Sequence, residues 1–235
     1  MELKNSVILI TGANRGVGLA LAKEALERGA AKVYAAARDP EKIALRGVVP
    51  VRLDVTNQDD VDRAVATCPD VTLLVNNAGI SRHGGVLSGT SEEAAREQME
   101  TNFFGPFRLS KAFAPVLAAN GGGAILNVLS VLSWRASAAL PGYCASKAAA
   151  WALTNTLRHE LRAARTQVIG MHMGYIDTDM TRDLDLPKTS PVVSAKAAFD
   201  GIETGLEEIL VDEVSRLVQA GLSSKPSSYM LPPGQ

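Results

Sequence analysis

The sequence predicts an α/β fold: a single doubly wound parallel β-sheet flanked by helices on both faces. Three observations predict it. Short apolar, β-branched runs recur along the chain, with helical patterns between them. Most of these runs are apolar throughout, as in strands buried on both faces. A glycine-rich turn joins the first run to the first helical segment. Such alternation implies βαβ units with right-handed crossovers.

The first strand is expected at residues 7–10, with Thr11-Gly12 directly after it. A helix at 17–28 leads to a second strand at 32–37 and a third at 49–53. A helix at 58–67, a strand at 71–75 and helices at 91–101 and 104–119 follow. The fifth strand is placed at 124–129. A long helix at 141–165 has Pro141 near its start, where proline is tolerated, and a sixth strand follows at 167–173. After Met180 the rhythm changes to a Pro-containing loop, a helix near 194–205, a strand-like run at 209–211 and a helix near 212–222. With no internal repeat or low-complexity linker, the 235 residues read as one domain.

Charge and composition exclude several classes. Lys plus Arg is 24 and Asp plus Glu is 25, a formal net charge of −1, so no broad basic face for nucleic acid is expected. Hydrophobic residues at 46% against 21% charged exclude a disordered chain. Cys68 and Cys144 make neither a disulfide framework nor a zinc site, and no two of the three histidines share a ligand spacing. No metal is expected. The N-terminus shows no cleavable leader, and no apolar run reaches the ~18–20 residues of a membrane span. The expectation is a cytoplasmic protein with reduced thiols, bound to neither membrane nor nucleic acid.

The turn Thr11-Gly12-Ala13-Asn14-Arg15-Gly16-Val17-Gly18 follows a strand and opens a helix, the context a dinucleotide site requires. One glycine permits the tight turn, another the approach of a pyrophosphate and the last the packing of helix on strand. The helix N-terminus then offers unpaired N–H groups to the phosphates. At the end of the second strand an acid would bind the ribose hydroxyl of NAD, whereas an arginine accommodates the phosphate of NADP. This chain reads Ala37-Arg38-Asp39. Arg38 and Arg15 together favour NADP(H). Asp39 is the counter-argument, because it could pair with Arg38 or face a ribose hydroxyl.

Tyr143 and Lys147 are four residues apart, hence on one face of a helix. A nearby ammonium favours the phenolate and lowers the tyrosine pKa, which makes the pair a candidate proton donor and its tuner. Alone, the pair reads equally as a tyrosine beside a snorkelling lysine. Ser130 closes a strand at the carboxyl edge of the sheet, where ligands of such folds bind, and its hydroxyl suits a substrate carbonyl. Asn102 lies between two helical segments, where its plain role is a cap or kink. Asn76-Asn77-Ala78-Gly79 ends a strand in small residues that permit close approach of a cofactor.

In order and at family spacing, TGANRGVG at 11–18, LDV at 53–55, NNAG at 76–79, Asn102, Ser130 and YCASK at 143–147 resemble the short-chain dehydrogenases/reductases. The resemblance runs from Val7 to about Met180. It implies a Rossmann-type domain whose cofactor half spans about 1–120 and whose catalytic and substrate half spans about 121–235. It implies an NADP(H)-dependent carbonyl reductase, with Tyr143 as general acid and Ser130 polarising the carbonyl. Lys147 would hold the nicotinamide ribose and lower the Tyr143 pKa, and Asn102 would hold a water that links Lys147 to solvent. Asp54 and Val55 would bracket the adenine. Asn77, Ala78 and Gly79 would line the adenosine ribose and the path to nicotinamide. Gly174 would also bind the cofactor, and Ile176 and Thr178 would meet the nicotinamide carboxamide. An NAD(H)-linked secondary alcohol dehydrogenase and a non-enzymatic NADP-binding regulator are the competing readings.

The chain departs from the family in three places. Met173 precedes Gly174 where a proline is usual, which loosens a φ constraint. The lid stretch at 183–193 is short, which suggests an open pocket and a small substrate. The tail lacks the final strand with its Asp-Gly-Gly ending, so a tetramer is doubted, while a homodimer through helices 104–119 and 141–165 is reasonable and a monomer possible. Trp134 and Leu140, with Ser130 and Tyr143, are expected to wall the substrate pocket. His83 and His159 read as surface residues, His172 as a packed histidine, Cys144 as a small core residue, and Trp151 and Phe113 as core or interface residues.

Overall fold

A computed structural model describes residues 1–87 and 91–230. Seven parallel strands run in the order β3-β2-β1-β4-β5-β6-β7. They are β1 Val7–Thr11, β2 Lys32–Ala37, β3 Val49–Arg52, β4 Leu73–Asn76, β5 Gly123–Val128, β6 Thr166–His172 and β7 Glu208–Leu210. The helices are α1 Gly16–Glu27, α2 Gln58–Thr67, α3 Glu92–Met99, α4 Gly105–Ala119, α5 Pro141–Glu160, α6 Pro191–Glu203 and α7 Glu213–Gly221. Strand order reverses between β1 and β4, which opens a crevice at the carboxyl ends of those two strands.

Alternate side chains of each strand feed opposite layers. Ile8 and Ile10 join Leu21 and Ala25 of α1 with Phe199 and Ile202 of α6. Leu9 faces the other way, into a layer with Val61 of α2, Leu109 and Phe113 of α4 and Leu157 of α5. Both faces of the sheet are therefore covered, the condition that the uniformly apolar runs anticipated.

Two departures from the sequence reading have local causes. Helix α5 ends at Glu160 instead of near residue 165. The chain turns there through Arg165 at φ +53°, so that the Arg165 carbonyl accepts from Gly123 N and β6 can start beside β5. A side chain at Gly122 would collide with that carbonyl, its Cβ only 2.4 Å away. Val192 and Val193, read as lid, lie in α6, because Ser190 caps that helix and Pro191 begins it. The strand-like run expected at 209–211 forms β7, which pairs with β6 as a three-residue edge strand, and Asp212 then caps α7. No helix among the described residues is long and apolar enough to cross a membrane.

Candidate active site

At the crevice, β1 hands over to α1 through residues that leave backbone exposed. Gly12 and Gly16 adopt φ of +65° and +56°, values that disfavour any side chain. A Cβ on Gly18 would lie 2.2 Å from the Gly12 carbonyl oxygen, and one on Gly12 would lie 3.1 Å from Ala78 Cα. Arg15 caps α1 without a side-chain hydrogen bond, and the first turn carries no acid. Its N–H groups are thus left to an anionic ligand. Asn14 and Val17 are half-buried in the same turn.

Thr11, which the motif contains but the site reading passed over, ties the two strand ends together. Its hydroxyl accepts from Asn77 N at 3.0 Å and Ala78 N at 2.9 Å, and donates to the Val75 carbonyl at 3.2 Å. The Asn77 amide returns the link by donating to the Thr11 carbonyl at 2.8 Å. The Asn77 side chain is therefore spent on the glycine turn.

Arg38 is exposed just beyond β2. Asp39 pairs with Lys42 at 2.7 Å rather than with Arg38. That ion pair holds the Asp39 carboxyl below its ordinary range. Arg15 is engaged with Asp179 at 3.1 Å, and Asp179 also holds Arg182. The Asp54 carboxylate accepts from Thr56 N and Oγ1 at 3.0 and 2.8 Å. The Val55 side chain is buried in the core against Gly105.

Ser130 follows β5 and caps a 3₁₀ turn at Val131–Ser133, its Oγ accepting from Leu132 N at 3.1 Å. It also hydrogen-bonds the Tyr143 hydroxyl. Tyr143 sits in the first turn of α5 and Lys147 one turn later, with Nζ 5.7 Å from the Tyr143 ring centroid. Lys147 is buried and donates to the Val128 carbonyl at 2.8 Å. Burial lowers its pKa to about 8. Burial likewise pushes the Tyr143 phenol up to about 12, with the Ser130 hydrogen bond working in the opposite direction. In the free protein the Tyr143 shift follows loss of hydration, while the Lys147 ammonium is directed to a backbone carbonyl.

Asn102 lies in a π-helical turn, Glu100–Phe104, between α3 and α4. Pro106 has no N–H to offer the Asn102 carbonyl, which breaks the ordinary ladder there. The Asn102 amide is fully used: Oδ1 accepts from Ile80 N, and Nδ2 donates to the Ile80 carbonyl and to Ser146 Oγ, all at 2.9 Å. Ser146 in turn donates to the Tyr143 carbonyl at 2.8 Å. The link from Asn102 to the helix of Tyr143 therefore runs through Ser146, a residue inside YCASK that the motif reading left without a role. Gly79 faces this junction, where a Cβ would stand 3.2 Å from Asn102 Oδ1 and 3.8 Å from Lys147 Nζ.

Asn102 and Lys147 thus approach Gly79, Lys147 stands beside the Tyr143 ring, and Ser130 meets the Tyr143 hydroxyl. Thr178 packs against the glycine turn, its Cγ2 3.3 Å from the place of a Cβ on Gly16. Gly174 N is held by Asp212 at 2.8 Å, and Ile176 is buried in the core. The 3₁₀ turn places Trp134 on His172, and Trp134 lines a cleft of about 830 Å³ with Leu132, Pro141, Cys144 and Ala148. Ser130, Leu140 and Tyr143 do not line that cleft, and Leu140 is buried. Burial raises the Cys144 and Cys68 thiols, which suits packing rather than nucleophilic chemistry. His83 and His159 are exposed, His172 and Phe113 are buried, and Trp151 meets Trp134 edge to face.

A family profile described as short chain dehydrogenase matches residues 6–188. The chain belongs to the short-chain dehydrogenase family. It is an oxidoreductase of the kind that works with a nicotinamide cofactor between CH–OH and C=O. A short-chain dehydrogenase of Burkholderia cenocepacia, solved in complex with NADP, superposes with a TM-score of 0.94 at 39% identity, covering 99% of this chain and all of the other. The oxidoreductase DltE of Bacillus subtilis is 33% identical over 94% of this chain and 93% of its own length. The 3-oxoacyl-[acyl-carrier-protein] reductase FabG of Vibrio cholerae is 34% identical over 79% of each chain. The residues present fit a dinucleotide: the side-chain-free cradle at Gly12, Gly16 and Gly18 and the uncapped start of α1 accommodate a pyrophosphate.

Proposed function

We propose that this short-chain dehydrogenase is an NADPH-dependent reductase of a ketone or aldehyde. The observation that carries this reading is the meeting of the Ser130 and Tyr143 hydroxyls beside the buried Lys147. With the Tyr143 phenol pushed up to about 12, the group is held as the acid at neutral pH. Reduction needs a proton donor at that place, whereas oxidation of an alcohol needs the phenolate. The bound nicotinamide supplies the hydride that the carbonyl carbon accepts. Ser130 and Tyr143, already hydrogen-bonded to each other, present two hydroxyls to one carbonyl oxygen, and Tyr143 gives up its proton as charge develops there. Lys147, with its pKa near 8, is still mostly cationic at pH 7 and stabilises the negative charge left on Tyr143. Asn102 fixes the start of α5 through Ser146.

Preference for NADPH is supported by Arg38 at the end of β2 and by the pairing of Asp39 with Lys42, which draws the acid away from the ribose position. The Burkholderia relative bound to NADP agrees with it. The test is turnover of NADPH with a panel of simple ketones and aldehydes, followed as loss of cofactor absorbance. Consumption of NADPH by a carbonyl compound is expected. Tight binding of NADPH with no turnover would favour a regulatory protein, and tighter binding of NADH would favour the NAD-linked alcohol dehydrogenase.

A further inference from the structure

Behind Ser130 runs a chain of polar side chains that the proposed reaction does not touch. His172 ends β6 and is fully buried. Its ring stacks on the Trp134 indole, with centroids 3.6 Å apart and planes 14° from parallel. Nδ1 lies 3.1 Å from Ser133 Oγ and 3.3 Å from the Ser130 carbonyl oxygen. Ser133 Oγ donates to that same carbonyl at 2.5 Å. A hydroxyl has a single proton to give, so the proton between His172 and Ser133 belongs to Nδ1.

On the other edge of the ring, Nε2 stands 2.9 Å from Glu208 Oε2 of β7, a close contact bent away from hydrogen-bond alignment. The second oxygen of Glu208 accepts from Arg158 of α5 at 3.0 Å. Gly170 makes room for this convergence, since a Cβ there would come within 3.4 Å of His172 Nε2 and 3.3 Å of the Arg158 guanidinium. The ring is therefore held on its face by Trp134, on one edge by Glu208 and on the other by the turn that carries Ser130.

We propose that His172 is a positioning residue for Ser130: its δ1 N–H, given to Ser133 and shared with the Ser130 carbonyl, locks the 3₁₀ turn that aims Ser130 Oγ at the substrate. The Ser130 carbonyl faces the His172 ring in addition to the Ser133 N–H and hydroxyl, so its peptide plane cannot rotate without leaving buried polar groups unpaired. Ser130 Oγ is meanwhile fixed in front by Leu132 N. The kinetic consequence rests on the proposed role of Ser130 at the carbonyl, whereas the hydrogen bond itself does not.

Two measurements test this separately. In protein labelled with nitrogen-15 histidine, His83 and His159 are exposed, so the ring with a slowly exchanging N–H is His172. A protected Nδ1–H is expected, and a bare Nδ1 on that ring overturns the proposal without any need for turnover. The second measurement compares His172→Asn, whose amide nitrogen falls near Nδ1, with His172→Gln, whose amide nitrogen falls near Nε2. With NADPH and ethyl acetoacetate, His172→Asn should stay within about threefold of wild-type kcat and His172→Gln should fall roughly 10- to 100-fold. Melting temperature and KM for NADPH should match between the two variants. Equal kcat for Asn and Gln would show a histidine that only fills space. Should the wild type reduce no carbonyl compound, the proposed function fails while the first measurement still decides the bond.

Discussion

The two sides of the crevice are built from different materials. On the β1–α1 side the site is mostly backbone, with three glycines, an uncapped helix start and the Thr11–Asn77 clasp that holds two strand ends together. On the β5–α5 side it is side chain, with a phenol and an ammonium taken out of water and a buried polar chain behind them. The first side is shaped for close approach and the second for control of protons. Damage should follow that division: changes on the glycine side should fall on binding, and changes on the α5 side on turnover.

The largest separation is expected from Tyr143→Phe, which removes the hydroxyl and keeps the ring. Loss of a positioned proton donor should lower kcat by about 10²- to 10⁴-fold, with the NADPH dissociation constant measured by fluorescence nearly unchanged. Comparable losses in binding would remove the contrast between the two sides. The converse variant is Gly18→Ala, whose methyl would meet the Gly12 carbonyl at 2.2 Å and the Asn77 amide at 2.6 Å. The turn must shift, at a cost of about 1–3 kcal/mol in unfolding free energy. Cofactor affinity should fall by about tenfold or more on the same scale of energy. An unaltered dissociation constant would show that the turn does not set the approach to the ligand.

The same division explains how much was legible in the sequence. Apolar runs gave the strands to within two residues, because a strand buried on both faces has little compositional freedom. The glycine turn was legible because steric exclusion leaves one residue type at Gly12, Gly16 and Gly18. Positions of Ser130, Tyr143 and Lys147 were legible through motif spacing, yet the direction of the Tyr143 shift was not. Desolvation depends on tertiary packing around the phenol, which no local pattern encodes. His172 and Glu208 were beyond reach for a related reason: 36 residues separate them in sequence, and only the pairing of β6 with β7 brings them together. Pro106, four residues after Asn102, is the one sequence signal that marks the break in the helix. The stacking of Trp134 on His172 was not legible, because a 3₁₀ turn, unlike a strand, does not keep successive side chains on a predictable face.

A pH profile sharpens the comparison from the α5 side. Lys147 titrates near 8 and Tyr143 near 12 in the free enzyme, so the pair holds both protons below pH 8 and loses the ammonium first as pH rises. With NADPH as the varied substrate, kcat/KM should be level below about pH 8 and fall towards tenfold per unit above it. A profile flat to pH 10 would mean that the Lys147 charge does not matter to cofactor capture.

The smallest effects are expected at Arg38 and Arg15, and they concern discrimination rather than rate. Arg38 is exposed beyond β2, while Asp39 is occupied by Lys42. An exposed charge–phosphate contact is screened by salt, and replacing Arg38 with Ala should weaken NADPH about 5- to 20-fold while leaving NADH almost unaffected. Arg15 should contribute less, because its guanidinium is already paired with Asp179 and must exchange that partner for the phosphate. The comparison is direct: dissociation constants for NADPH and NADH, measured on the wild type, Arg38→Ala and Arg15→Ala at low and moderate salt. If Arg15→Ala cost more NADPH affinity than Arg38→Ala, phosphate recognition would lie in the glycine turn itself. The division between a backbone side and a side-chain side would then have to be redrawn, because a single loop would supply both the cradle and the charge.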